Sequence, residues 1–185
     1  MADPGTPGTS SLPSGNGDPG ASEEILKALQ AHFGEVFRVA EIRAGEASVT
    51  MGTDGAFEVC RFLREEIGLE YLSCLSGVDW IADGELEVVY CLASLSRPGK
   101  VTLRVRMPRD NPVTRSVVSL WASANWHERE AYDLFGIRFE GHPDLRRILL
   151  PEDWIGFPLR KDYRDERFVS YPMEERKPGG VTRPS

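Results

Sequence analysis

Hydrophobic positions recur along this chain with two different periods, and the alternation between them outlines a fold. Ser22 followed by Glu23 and Glu24 reads as a helix start, with Ile25, Leu26, Leu29 and Phe33 on one face and Gly34 as the stop. Two short extended runs follow, residues 36–43 and 47–51, joined at Ala44-Gly45. In the second, Ala47, Val49 and Met51 alternate with Ser48 and Thr50, the two-residue period of a strand with one buried side. A second helix is predicted from Asp54 to Ile67, with Phe57, Cys60, Leu63 and Ile67 as its buried stripe and Gly68 as its stop. Arg61, Arg64, Glu65 and Glu66 make its solvated face.

Residues 69–75 then lead through 77–80 as extended chain to the turn Ile81-Ala82-Asp83-Gly84. Residues 85–95 place Leu86, Val88, Tyr90 and Leu92 on one side. After a turn at Arg97-Pro98-Gly99-Lys100, Val101, Leu103, Val105 and Met107 alternate with Thr102, Arg104 and Arg106. Two tight turns between three strands predict an antiparallel meander. One face packs on helices; the other, with Arg104 and Arg106, meets water or a partner. Asn111-Pro112 predicts a short helix with Val113, Val117, Leu120 and Trp121 as its apolar positions. Asn125 is placed to cap a further helix over 126–135, which Gly136 ends.

That last helix has no clean stripe. Trp126, Glu130 and Asp133 share one face, Glu128, Tyr132 and Phe135 another, and His127, Ala131 and Leu134 a third. Mixed polarity all round predicts a helix covered on more than one side, with charges that need partners. Arg129 and Asp133, four apart, are expected to face each other.

The ends differ from the middle. Residues 1–21 are Gly, Pro, Ser, Thr and Asp with almost nothing to bury, the composition of a flexible leader. Beyond Leu150, prolines punctuate a stretch of dense mixed charge that still carries Trp154, Ile155, Phe157, Tyr163, Phe168 and Tyr171. Such groups are expected to seat in pockets on another protein, in preference to lying over their own domain. The expected architecture is α+β: a small, mostly antiparallel sheet packed with helices over residues 22–150, then an extended irregular C-terminal tail over 151–185.

A net charge of −7 over 185 residues argues against nucleic-acid binding, which calls for a basic stripe. No apolar run approaches the ~20 residues that span a bilayer, and the N-terminus lacks the pattern of a secretory signal. The three cysteines, Cys60, Cys74 and Cys91, are odd in number and far apart in sequence. They offer neither a disulfide framework nor a Cys-x-x-Cys knuckle. They are expected to be buried or half-buried thiols in a reducing compartment. An iron–sulfur cluster generally takes four thiolates.

Motifs for other chemistry are incomplete. His127-Glu128 begins a zinc-protease motif, but Ala131 stands where the second histidine belongs. His32 and His142 are isolated. Glu128, Glu130 and Asp133 could serve acid–base work, yet Arg129, Arg146 and Arg147 lie near, and a structural ion network is the expectation. No nucleophile elbow, phosphate loop or dinucleotide fingerprint is present.

Five short stretches occur in order: Glu128-Arg129-Glu130; Asp133-Leu134-Phe135-Gly136; Gly141-His142-Pro143; Arg146-Arg147-Ile148-Leu149; and Pro158-Leu159-Arg160-Lys161-Asp162-Tyr163. Together they resemble the signature of the C subunit, the thirty-kilodalton subunit, of bacterial NADH–quinone oxidoreductase (respiratory complex I). The pattern of elements extends the likeness over residues 22–165. The resemblance implies a peripheral-arm subunit on the cytoplasmic side of the cell inner membrane, bound to the D (forty-nine-kilodalton) subunit and other peripheral-arm subunits. Electrons in that complex pass from NADH through FMN and iron–sulfur clusters to quinone. This chain is expected to bind none of these cofactors, no metal and no nucleic acid, and to carry no catalytic residue. The expected partner interface is Glu128, Arg129, Glu130, Asp133, His142, Arg146, Arg147, Arg160, Lys161, Asp162 and Tyr163. For His142, a turn histidine bonded to backbone is expected in preference to an imidazole on a quinone pathway. Two alternatives stand beside this reading. One is the equivalent subunit of a membrane-bound nickel–iron hydrogenase or related dehydrogenase. The other is an independent enzyme using the carboxylate cluster.

Overall fold

A computed structural model describes residues 19–165, apart from Arg97. The leader up to residue 18, and Phe168 and Tyr171 of the tail, lie outside the described residues. The first helix, α1, runs Pro19–Phe33, so it begins upstream of the expected start at Ser22. Ser22 lies inside it and is fully buried. Ile25, Leu26 and Leu29 turn to the core as their spacing predicts, with Phe33 packed at its margin.

The strands β1 (Phe37–Arg43) and β2 (Glu46–Met51) form a hairpin, and α2 (Ala56–Glu65) follows. The buried stripe of α2 is Ala56, Val59, Cys60 and Leu63, while Phe57 and Ile67 are only partly covered. Next come β3 (Tyr71–Trp80), β4 (Glu85–Ala93) and β5 (Lys100–Pro108), the expected antiparallel meander. The five strands make one sheet in the order β1-β2-β5-β4-β3. Its one parallel pairing, β2 on β5, sets Ala47 against Val101 and Met51 against Val105. The sheet is therefore mostly antiparallel, and the fold is α+β.

One face of the sheet forms the core. Val49, Met51, Leu86, Val88, Tyr90, Leu103 and Val105 meet there with Leu29 of α1 and Leu63 of α2. The other face satisfies its own charges. Glu87 has no exposed surface; it accepts from Arg104 Nη1 at 3.0 Å and Arg106 Nε at 2.8 Å. Arg106 in turn lies 4.2 Å from the ring centroid of Trp80, a cation–π contact. Arg104 and Arg106 thus answer a buried carboxylate of their own sheet.

The helix expected after Asn111-Pro112 is not formed. Val113–Arg115 is instead a strand, β6, running parallel to β7 (Arg138–Glu140), with Thr114 opposite Phe139. Arg138 N–H donates to the Pro112 carbonyl at 2.9 Å, and Ser116 N–H to the Glu140 carbonyl at 2.8 Å. Val113 and Thr114 are β-branched and suit a strand better than a helix turn. Val117 and Trp121 are still buried, from a turn in which Trp121 N–H reaches the Val117 carbonyl.

Candidate interaction surface

The helix α3 spans Ala124–Phe135, two residues longer at its start than expected. Asn125 lies within it and does not cap it; Ser123 holds the cap position without a side-chain bond. Gly136 ends it in the left-handed conformation, φ 75°, with its N–H on the Tyr132 carbonyl. A side chain is excluded there twice over. The backbone angle disfavours it, and an added Cβ would stand 2.5 Å from Phe157 Cζ.

Mixed polarity around α3 does mean that it is covered on several sides. Glu128 and Asp133 have no exposed surface and Arg129 almost none. Each is satisfied differently. Glu128 accepts from Ser116 Oγ and Val117 N–H, both at 2.7 Å. Among the described residues no arginine pairs it, and burial pushes its carboxyl up to about 7 against those two bonds. Arg129 does not meet Asp133. Its guanidinium donates to the carbonyls of Arg146 and Arg147, both at 3.2 Å.

Asp133 is the hub. Its Oδ2 accepts the consecutive backbone N–H groups of Ile148, Leu149 and Leu150 at 3.0, 2.8 and 2.9 Å, while Oδ1 takes Arg147 Nη1 at 2.7 Å. Burial opposes its charge, but the three N–H groups and Arg147 outweigh it and hold the carboxyl below its usual range. Arg147 Nη2 continues to the Trp154 carbonyl at 3.1 Å. Of the expected ion network, the Asp133–Arg147 pair is formed among the described residues; Glu128 and Arg129 are satisfied instead by Ser116 and by backbone groups on either side of the helix. Side chains that lie wholly inside this chain cannot touch a partner, so Glu128 and Asp133 leave the expected interface.

His142 behaves as a turn residue. Asp144 N–H donates to its Nδ1 at 3.0 Å, and its Nε2 lies 3.3 Å from the Asn125 carbonyl. Those bonds place the ring proton on Nε2.

Residues 151–165 lie over their own domain. Leu159 N–H donates to the Leu134 carbonyl at 3.2 Å, and Arg160 Nε to the Phe135 carbonyl at 2.7 Å. Lys161 N–H reaches Asp79 Oδ2 at 2.8 Å. Asp79 is buried in β3 and also takes both forks of Arg109, at 2.9 and 3.1 Å. Arg109 bridges on to Asp162. The Tyr163 hydroxyl donates to the Ile155 carbonyl at 3.2 Å. For these residues the expectation of pockets on another protein gives way: with residues 146–150, which Arg129 and Asp133 hold, they form a strap over residues 146–165 tied to β3 and to the end of α3.

The strap nevertheless leaves large apolar groups in water. Trp126 is 62 % exposed, Leu149 61 %, Ile155 81 % and Leu159 50 %. Of the sequence-predicted interface residues, Glu130, Arg146, Lys161 and Asp162 are exposed, and His142, Arg147, Arg160 and Tyr163 half-buried. Ile155 was among the groups expected to meet another protein; Trp126, Leu149 and Leu159 were not, because a sequence shows a residue's type and not its outward direction. Among the described residues no group of three or more His, Cys, Asp or Glu is placed to hold a metal ion. None of their helices is long and apolar enough to cross a membrane.

Comparison with known proteins decides the family. The model of the family described as "Respiratory-chain NADH dehydrogenase, 30 Kd subunit" matches residues 49–169. The chain belongs to that family. Among its relatives, the C subunit of the NADH-quinone oxidoreductase of Chlorobium phaeobacteroides is 50 % identical over 158 residues, covering 77 % of this chain and 92 % of that protein. The protein of the same name from Chloroherpeton thalassium is 41 % identical over 80 % of this chain, which spans 63 % of that longer protein. The C subunit of the F(420)H(2) dehydrogenase of Methanosarcina mazei is 42 % identical, covering 75 % of this chain and 89 % of its own length. The trypsin-resistant fragment of Nqo5 shares the fold with a TM-score of 0.58 and 32 % identity, over 66 % of this chain and 98 % of the fragment. In this family setting the chain is a subunit of a respiratory oxidoreductase complex.

Proposed function

We propose that the chain is a peripheral-arm subunit that supports and assembles the quinone module of a proton-translocating NADH–quinone oxidoreductase. It packs on the D subunit, on the cytoplasmic side of the inner membrane. NADH oxidation, FMN, the iron–sulfur clusters and quinone reduction reside in other subunits. This chain supplies shape and contact surface, and neither a catalytic group nor a cofactor ligand.

The observation that carries this reading is the strap. It is held by buried charge at Asp133 and Asp79, yet it presents Leu149, Ile155 and Leu159 outward, with Trp126 of α3 beside the arginine that holds it. Exposed apolar groups on a firmly tied segment fit an interface. An independent enzyme is disfavoured by the same geometry, since Glu128 and Asp133 cannot reach a substrate. The name of the Methanosarcina relative keeps a related dehydrogenase complex as a second reading.

The test is Leu149→Asp combined with Ile155→Asp, in a tagged chain recovered from detergent-solubilised membranes. Both side chains are exposed, so the isolated variant should keep its far-ultraviolet circular dichroism. Co-purified D subunit and NADH–quinone reductase activity should fall together. Unchanged recovery of the D subunit and full activity would remove the proposal. Recovery of a hydrogenase or an F420-type dehydrogenase subunit in place of the D subunit would favour the second reading.

A further inference from the structure

The outward face of the sheet carries two thiols that take no part in the strap or its anchors. Cys74 of β3 and Cys91 of β4 stand directly opposite each other in the antiparallel ladder, just after a register shift between Leu72 and Cys74. Ser73, the extra residue at that bulge, is exposed and donates its hydroxyl to the Cys91 carbonyl at 2.9 Å. One step further, Leu75 and Tyr90 are also opposed and both point into the core. Side chains alternate along a strand, so Cys74 and Cys91 project together from the other face. Cys74 is exposed and Cys91 half-buried. Opposed residues of an antiparallel pair have Cα atoms about 4.5–5.5 Å apart, within the ~4.4–6.8 Å that a disulfide spans.

We propose that Cys74 and Cys91 form a reversible intramolecular disulfide on exposure to a low-molecular-weight disulfide such as oxidised glutathione. The Cys74 thiolate attacks one sulfur of the reagent and expels its other half as a thiolate. The Cys91 thiolate then attacks the Cys74 sulfur of this mixed disulfide, closing the internal bond and expelling the second half. Two protein thiols are oxidised, one reagent disulfide is reduced to two thiols, and the protons pass to those leaving thiolates through solvent.

The surroundings set the order of attack. Cys74 is the accessible sulfur. Burial pushes the Cys91 thiol up, and the charge of Cys74 and then of Glu46 push it further, against a bond from Thr102. Once Cys74 is held in a mixed disulfide its repulsive charge is gone, and Cys91 ionises more readily. Cys60 stays out of the exchange: it is buried in α2, where desolvation first and Glu128 next push its thiol far up. The closed bond would fasten β3, the edge strand of the described sheet, to its ladder neighbour β4. That strand also carries Gly77 under α3 and Asp79 under the strap, so oxidation stiffens the platform on which both sit.

The full-length chain is reduced, equilibrated in buffers of graded reduced-to-oxidised glutathione ratio, acid-quenched, alkylated and mapped by mass spectrometry. The expected product is one cross-linked pair of peptides joining Cys74 to Cys91. Its yield rises with the oxidised fraction and reverses in excess reduced glutathione. Cys60 is alkylated only after unfolding. Cys91→Ser should stop the reaction at a glutathione adduct on Cys74, and Cys74→Ser should leave Cys91 free. Wild-type protein that ends as a lasting adduct on Cys74 with Cys91 free overturns the proposal. So does recovery of both thiols free across the whole series.

Discussion

Phe135 rests its ring on the bare α-carbon of Gly77: a Cβ added to Gly77 would stand 2.5 Å from Phe135 Cδ2 and 2.8 Å from Cε2. The last turn of α3 thereby sits against β3 at a distance that only glycine permits. Gly77→Ala should cost about 1–3 kcal/mol through overpacking, read as a lower denaturant midpoint. Adding Phe135→Leu, which removes the colliding ring, should recover part of that loss. A Gly77→Ala protein of wild-type stability would mean that the ring moves aside freely.

The Asp133 hub supports a second prediction. Asp133→Asn keeps the shape but removes the charge shared by Arg147 and three backbone N–H groups. Breaking a buried pair of this kind costs about 3 kcal/mol or more. Limited proteolysis should then cut within residues 146–156 faster than in the wild type. The folded carboxyl sits below its usual value, so the stability it contributes is present above the ordinary carboxylate range. That contribution is lost as pH falls through the folded value. The gap in stability between wild type and Asp133→Asn should therefore narrow in acid, as denaturant titrations at a series of pH values would show.

Glu128 has the opposite sign. Its carboxyl, pushed up to about 7 by burial, binds a proton more tightly in the folded chain than in the unfolded one. Stability from this group therefore falls as pH rises from its ordinary value of 4.5 to about 7, and is constant above that. The span corresponds to roughly 3 kcal/mol at 1.36 kcal/mol per pKa unit. Glu128→Gln, which can still accept from Val117 and donate to Ser116, should flatten the melting temperature between pH 5 and pH 7, on the order of that window. An unchanged pH profile in the variant would show that Glu128 stays charged.

Asp79 anchors the far end of the strap. Arg109 first, then Lys161 N–H, hold its carboxyl low against the opposing effect of burial. Asp79→Ala should free residues 157–163 from β3. Hydrogen exchange at the Lys161 amide should rise by an order of magnitude or more, while the amides of β4 and β5 keep their protection. Equal acceleration throughout would instead mean that the whole domain is loosened.

The central sheet was legible because Val101, Leu103, Val105 and Met107 alternate with polar residues and every one of the four faces the core. β6 was not, because Asn111-Pro112 starts helices and strands alike, and its partner Arg138–Glu140 lies in a distant part of the chain. The order of the motifs from Glu128 to Tyr163 identified the family, which the comparison then established. That the charges of α3 need partners was also readable from the residue types, and Asp133–Arg147 is one such pair. The wiring was not: Arg129 turns to the carbonyls of Arg146 and Arg147 because the chain after Gly136 folds back over the helix, and Glu128 turns to Ser116 in the segment that precedes it. The Cys74–Cys91 juxtaposition is hidden in the sequence for a similar reason. It depends on the bulge at Ser73, which a count of alternating residues does not reveal.

The parallel pairing of β2 with β5 has a consequence for how the chain reaches its native state. Every other strand contact in the five-stranded sheet joins neighbours along the chain, but Met51 waits for Val105. During synthesis the first hairpin leaves the ribosome with its β2 border unpaired, and in the native sheet that border closes on β5. Loops of this span close slowly. Recognition by a chaperone, or mispairing with another nascent chain, would therefore fall in the interval before β5 emerges.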